Sequence, residues 1–104
     1  MGKKEDIKFV REFKKKLIKR FLLNNLILFG SRATGKTHEW SDFDLIVVSP
    51  EFKGKISFER GADLYNDWGY KYPVDFLCYT PEEFNKLKKG INIVSEAVRE
   101  GIEI

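Results

Sequence analysis

Asp42 and Asp44 stand two residues apart around Phe43, just before the apolar run Leu45-Ile46-Val47-Val48. In an extended chain that spacing turns both carboxylates to one side and the phenylalanine to the other. Ionised carboxylates at the mouth of an apolar strand are costly unless a cation or hydrogen-bond donors offset them. Mg²⁺ suits such a pair, because one or two carboxylates plus substrate phosphates make up its usual shell. Asp75 repeats the anomaly inside a second apolar run, Val74-Asp75-Phe76-Leu77-Cys78-Tyr79, where it shares a face with Leu77 and Tyr79. Three acidic residues at strand mouths are what metal-assisted phosphoryl transfer requires, with Asp75 placed to help deprotonate an attacking hydroxyl. Upstream, Gly30-Ser31 directly follows Leu26-Ile27-Leu28-Phe29. A residue without Cβ there lets a ligand approach the backbone, and free N–H groups with a hydroxyl can face phosphate oxygens. Taken singly, Gly-Ser is an ordinary turn, Asp-x-Asp a surface turn or capping pair, and Asp75 a buried structural aspartate; their conjunction is what carries information.

These residues need elements to hold them. Ile7, Val10, Phe13, Leu17, Ile18, Phe21 and Leu22 recur at three- and four-residue spacing, which predicts one amphipathic helix over about 5–23 ended by Asn24-Asn25. Leu26–Phe29, Leu45–Val48 and Val74–Tyr79 read as strands, the first two pairing at the centre of a sheet. A helical stripe from Phe58 to Trp68 is closed by Gly69. Thr80-Pro81-Glu82-Glu83 starts a further helix, with Thr at the N-cap, Pro at the first position and Glu at the third, and Gly90 ends it. A last helix over about 91–100 stops at Gly101. Helices alternating with three or four strands imply one α/β domain spanning residues 1–104.

The combined pattern of Gly30-Ser31, Gly35, Ser41-Asp42-Phe43-Asp44-Leu45 and the later Asp75 resembles the DNA polymerase β-like nucleotidyltransferase superfamily, and most closely its minimal nucleotidyltransferase group. The similarity runs from the first strand to Glu-Gly-Ile near residue 102. It implies an α/β (α+β) polymerase β-like fold, a small mixed sheet flanked by helices. It further implies transfer of a nucleoside monophosphate, AMP from ATP, with Asp42, Asp44 and Asp75 both catalytic and holding Mg²⁺ or Mn²⁺. Gly30, Ser31 and Ser41 would contact the nucleoside triphosphate. Many relatives carry arginine just before the second glycine; here Thr34 occupies that place, which leaves Arg32 or Lys36 to neutralise the β- and γ-phosphates. Relatives of this size resemble the antitoxin half of two-gene toxin–antitoxin modules whose partner is a small helical protein of the HEPN type.

Composition narrows the rest. The 104 residues, 42% hydrophobic and 14% aromatic, suffice for one core. The one cysteine, Cys78, cannot form an internal disulfide, and its apolar surroundings suit a small buried side chain. No stretch reaches the ~20 apolar residues that span a bilayer, and the charged start is unlike a signal peptide, so no membrane contact and a cytoplasmic location are expected. The net charge of +3 is concentrated in Lys14, Lys15, Lys16, Lys19 and Arg20, either a landing patch for a polyanion or the solvated face of a helix. Nucleic acid is thus a weaker candidate partner than protein. His38 and Trp40 read as a solvated loop residue and a cover for the core edge. Tyr65, Trp68, Tyr70 and Tyr72 suggest core or a subunit interface, which leaves homo-oligomers open. With Lys14–Arg20 and the apolar Ile102-Glu103-Ile104, they are candidate docking surfaces.

Overall fold

The computed structural model describes residues 3–35 and 41–104, so Lys36, His38 and Trp40 fall outside the described residues. Helix α1, Lys3–Leu17, buries Asp6, Val10, Phe13 and Leu17, a stripe in helical phase, and carries acids in its first turn and lysines in its last, as the helix dipole favours. It ends at Leu17 rather than near residue 23. Past that point the chain turns, Phe21 packs on Phe52 with ring centroids 5.2 Å apart, and Ile18 and Leu22 are left exposed.

Four strands form one mixed sheet in the order β3-β2-β1-β4. Strand β1 is Asn25–Phe29, β2 Phe43–Val48, β3 Val74–Tyr79 and β4 Ile102–Glu103. β2 runs parallel to β3, and β1 is antiparallel to both β2 and β4. Alternation along the central strands sorts the core into two layers. Leu26, Leu28, Phe43, Leu45 and Val47 pack with Val10, Phe13 and Leu17 of α1 and with Leu64 and Trp68. Ile27, Phe29, Ile46 and Val48 face the opposite way, onto Phe84, Val94 and Ala97. Helices therefore cover both faces, and Asp44, set between Phe43 and Leu45, belongs to the second.

The helix read between Phe58 and Trp68 is two short ones, α3 (Ser57–Ala62) and α4 (Tyr65–Trp68), preceded by a 3₁₀ turn at Pro50–Phe52. The aromatic cluster divides between them and the core: Trp68 and Tyr72 ring Phe9 and Phe43, whereas Tyr70 is exposed. Outward carbonyls of β3 receive side chains here, with Tyr65 Oη donating to Val74 O at 3.2 Å and Arg60 Nη1 to Cys78 O at 3.2 Å.

Helix α5, Pro81–Leu87, starts as its sequence predicts: Glu83 N donates to Thr80 Oγ1 and Thr80 N to Glu83 Oε1. Helix α6, Ile93–Glu100, is capped by the side-chain Oδ1 of Asn92, which accepts from the amides of Val94 and Ser95. Beyond Gly101 the C-terminal residues are part of the sheet instead of a free docking surface: Ile102 and Glu103 pair with Leu28 and Ile27, and Ile104 N donates to Leu26 O at 2.8 Å. Among the described residues no helix is long and apolar enough to cross a membrane.

Candidate active site

β1 delivers the chain into Gly30, whose φ of 75° is one that L side chains rarely adopt. A Cβ there would lie 2.3 Å from Asp44 Oδ2, so glycine is required both for the turn and for the carboxylate beside it. Helix α2, Ser31–Thr34, follows at once and closes on Gly35 in the left-handed conformation. The amides of Ala33 and Thr34 bond back to Gly30 O. Those of Ser31 and Arg32 sit in the first turn, where a helix offers its own N–H groups no acceptor.

Across the sheet, Asp44 lies opposite Phe29 of β1 and in register with Asp75 of parallel β3. Matched positions on neighbouring strands share a face and stand about 4.8 Å apart. Burial pushes the Asp44 carboxyl above its ordinary range, and the negative charges of Asp75 and then Asp42 push it further. Asp42 itself is exposed just before β2. Thus the sheet brings the three aspartates within electrostatic reach, although the sequence places Asp75 far from the other two.

Gly30, Thr34, Asp44 and Asp75 line a cleft of about 350 Å³ whose far wall is α6, with Glu96, Ala97 and Glu100. Those two glutamates have no signature in the sequence, because helical periodicity does not reveal where a helix docks. Among the described residues no three acidic, histidine or cysteine side chains form a ready-made metal shell. What exists is an adjacent Asp44–Asp75 pair with Asp42 nearby, a hard oxygen set that fits a divalent cation sharing its shell with phosphates. The three like charges also leave an electrostatic need that such a cation would meet.

Of the other candidates, Ser31 is half-buried at the start of α2 and Ser41 is buried just before Asp42. Arg32 is turned into the fold. Its side chain is 1% exposed, Nη1 donates to Asp6 Oδ1 at 3.0 Å, and Nε and Nη2 donate to Ser41 O at 3.0 and 2.7 Å. The guanidinium also lies 4.1 Å from the centre of the Phe43 ring. Among the described residues its nitrogens and one face are thus engaged within the fold, so the phosphate-binding role expected for Arg32 would require these contacts to be released. Lys36, the alternative, is among the residues not described. Asp6 was missed, yet a signal existed: it stands in phase with the buried stripe Val10, Phe13, Leu17.

A mixed sheet whose strand ends gather a glycine turn and paired aspartates defines a class, and the family comparison agrees. The nucleotidyltransferase domain model matches residues 10–100, and the chain belongs to that family of enzymes. Among individual proteins, it is similar to the probable protein adenylyltransferase MntA of Haemophilus influenzae, 24% identical over 103 residues that cover 97% of this chain and 88% of that one. A solved structure from Sulfolobus solfataricus assigned as a nucleotidyltransferase superposes with a TM-score of 0.69 at 20% identity, over 97% of this chain and 80% of the other. The MntA–HpeT toxin–antitoxin structure, in a variant with two aspartates two positions apart changed to glutamate, gives 0.50 at 20% identity, over 99% of this chain and 72% of its own. At such identities the structural likeness establishes the fold.

Proposed function

We propose that the chain transfers AMP from ATP to a side-chain hydroxyl of a partner protein, with Asp42, Asp44 and Asp75 holding Mg²⁺ or Mn²⁺. The observation that carries this reading is the in-register placement of Asp44 and Asp75 beside a glycine whose absent side chain keeps the approach open. Gly30 and the first turn of α2 would receive the phosphates, and Asp75 would take the proton of the attacking hydroxyl. The new bond joins that oxygen to the α-phosphorus; the bond to the bridging oxygen breaks, and pyrophosphate leaves. A bound divalent cation supplies charge neutralisation to the triphosphate and acidifies the acceptor hydroxyl.

A protein acceptor is favoured over a polynucleotide because three of the five basic residues between Lys14 and Arg20 are paired within the chain. Lys14 Nζ donates to Ile104 O, Lys15 pairs with Glu12, and Arg20 with Asp67. The likeness to a probable protein adenylyltransferase and to a toxin–antitoxin pair supports a protein acceptor; in this reading it is a tyrosine on a small helical HEPN-type toxin in the cytoplasm, inactivated by the charge it gains.

The test is mass spectrometry of the neighbouring gene's product after co-expression with the parent or Asp44→Asn enzyme. A nucleotide adduct on one tyrosine, made by the parent alone and only with free divalent cation, is expected. A partner neutralised without modification would replace this reading by masking through complex formation. Steeply salt-dependent binding of RNA, with RNA labelled instead, would move the acceptor to nucleic acid.

A further inference from the structure

Arg32 and Asp6 form a buried ion pair that the proposed chemistry leaves unused: their side chains are 1% and 0% exposed. Asp6 Oδ2 has no hydrogen-bond partner among the described residues. A pair so deeply desolvated and so incompletely satisfied is a poor source of stability, since apolar side chains of like volume commonly do as well or better. Its geometry indicates another use. Nε and Nη2 of Arg32 both close on the carbonyl of Ser41, the residue immediately before Asp42. The guanidinium covers Phe43, the residue immediately after. Phe43 N in turn donates to Pro73 O at 3.0 Å, two residues ahead of Asp75. The peptide bearing Asp42 is therefore held on both sides, and Asp6 holds the residue that holds it.

We propose that Arg32 is a positioning residue, which with Asp6 fixes the entry to β2 so that Asp42 and Asp44 stand in one arrangement relative to Asp75. The pair ties α1 to the mouth of the site, and the carboxylates are set before any ligand arrives. Positioning of this kind matters because ligands must be held to within a fraction of an ångström by the residues behind them. The proposal rests on the three aspartates being the metal-holding set.

Removing one partner alone leaves a buried charge and risks unfolding, so the decisive variant is the apolar double substitution Asp6→Leu/Arg32→Met, with Arg32→Lys beside it. Two readouts are needed: Mn²⁺ binding to the nucleotide-free protein by calorimetry, and kcat and KM for ATP with the partner protein. The double variant should fold, judged by its melt, yet bind Mn²⁺ at least fivefold more weakly. Its kcat should fall at least tenfold while KM for ATP changes less than threefold. Arg32→Lys, which keeps the charge and one bond, should recover part of both losses. Unchanged Mn²⁺ affinity and kcat in the double variant would overturn the proposal and leave a purely structural pair. A rise in KM alone would also overturn it, returning Arg32 to the phosphates. If the parent labels no acceptor but binds Mn²⁺, the transfer reading fails while the Mn²⁺ comparison still decides the role of Arg32.

Discussion

Asp44 bears opposite demands from the two states of its site. Its raised carboxyl pKa means that, between the ordinary value near 3.8 and the folded value, the native chain holds more proton than the unfolded one. Stability therefore falls as pH rises through that window, and at pH 7 the whole penalty is present. Asp44→Asn should accordingly melt slightly higher than the parent without metal at pH 7, by roughly 1–3 °C given solvent screening of a partly exposed group. The same variant, like Asp75→Asn, should lose about 10²-fold or more of transfer activity. A clear fall in melting temperature for Asp44→Asn would make that aspartate structural. Thr34 lines the cleft where many relatives are expected to carry arginine, and Arg32 is committed elsewhere. Thr34→Arg should tighten ATP binding by ~1 kcal/mol or more by calorimetry, since a guanidinium can meet phosphate in two places at once. Cys78 makes a contrasting case: burial pushes its thiol up to about 12. Native protein at pH 8 should react with a thiol reagent far more slowly than unfolded protein does.

Among the elements, α5 has a stability with a legible charge dependence. Arg60 donates to Glu83 from both terminal nitrogens, and these bonds, with the Thr80 amide, hold the Glu83 carboxyl below its ordinary range. A depressed acid contributes stability that is fully present above its unfolded value and is lost as pH falls through the folded one. Glu83→Gln should thus be less stable than the parent at pH 7, by under ~1 kcal/mol because the side chain is 43% exposed, and by less at pH 4 than at pH 7. Denaturant melts at the two pH values give the comparison. The start of this helix was readable from four residues because capping chemistry is local. The end of α1 was not: Ile18, Phe21 and Leu22 keep the helical period past Leu17, and only tertiary packing of Phe21 on Phe52 shows that the chain has turned. A two-residue strand such as β4 is likewise below what alternation can reveal, since its pairing partner lies far off in sequence. The active-site candidates Gly30, Asp42, Asp44 and Asp75 were legible because they stand together at the ends of, or inside, apolar runs, and it is their conjunction that carries the signal. The partners Asp6, Glu96 and Glu100 were not, because burial and helix docking are properties of the assembled chain.

At the scale of the molecule, two helical layers leave the sheet with β4 and β3 as its borders. The β3 border is six residues long, and a bare border of that length is a template on which a second molecule's strand can add. It is not bare. Carbonyls of Val74 and Cys78, alternate groups on its outer side, accept from Tyr65 and Arg60. Side chains thus occupy hydrogen-bonding positions that a foreign backbone would need. The consequence is colloidal rather than catalytic: the helices before β3 act as a guard against edge-to-edge growth. Removing both donors, in Tyr65→Phe/Arg60→Met, should give a chain that scatters light increasingly with concentration and time under conditions where the parent does not. A double variant that stayed as dispersed as the parent would mean that the twist and shortness of the border suffice to keep molecules apart.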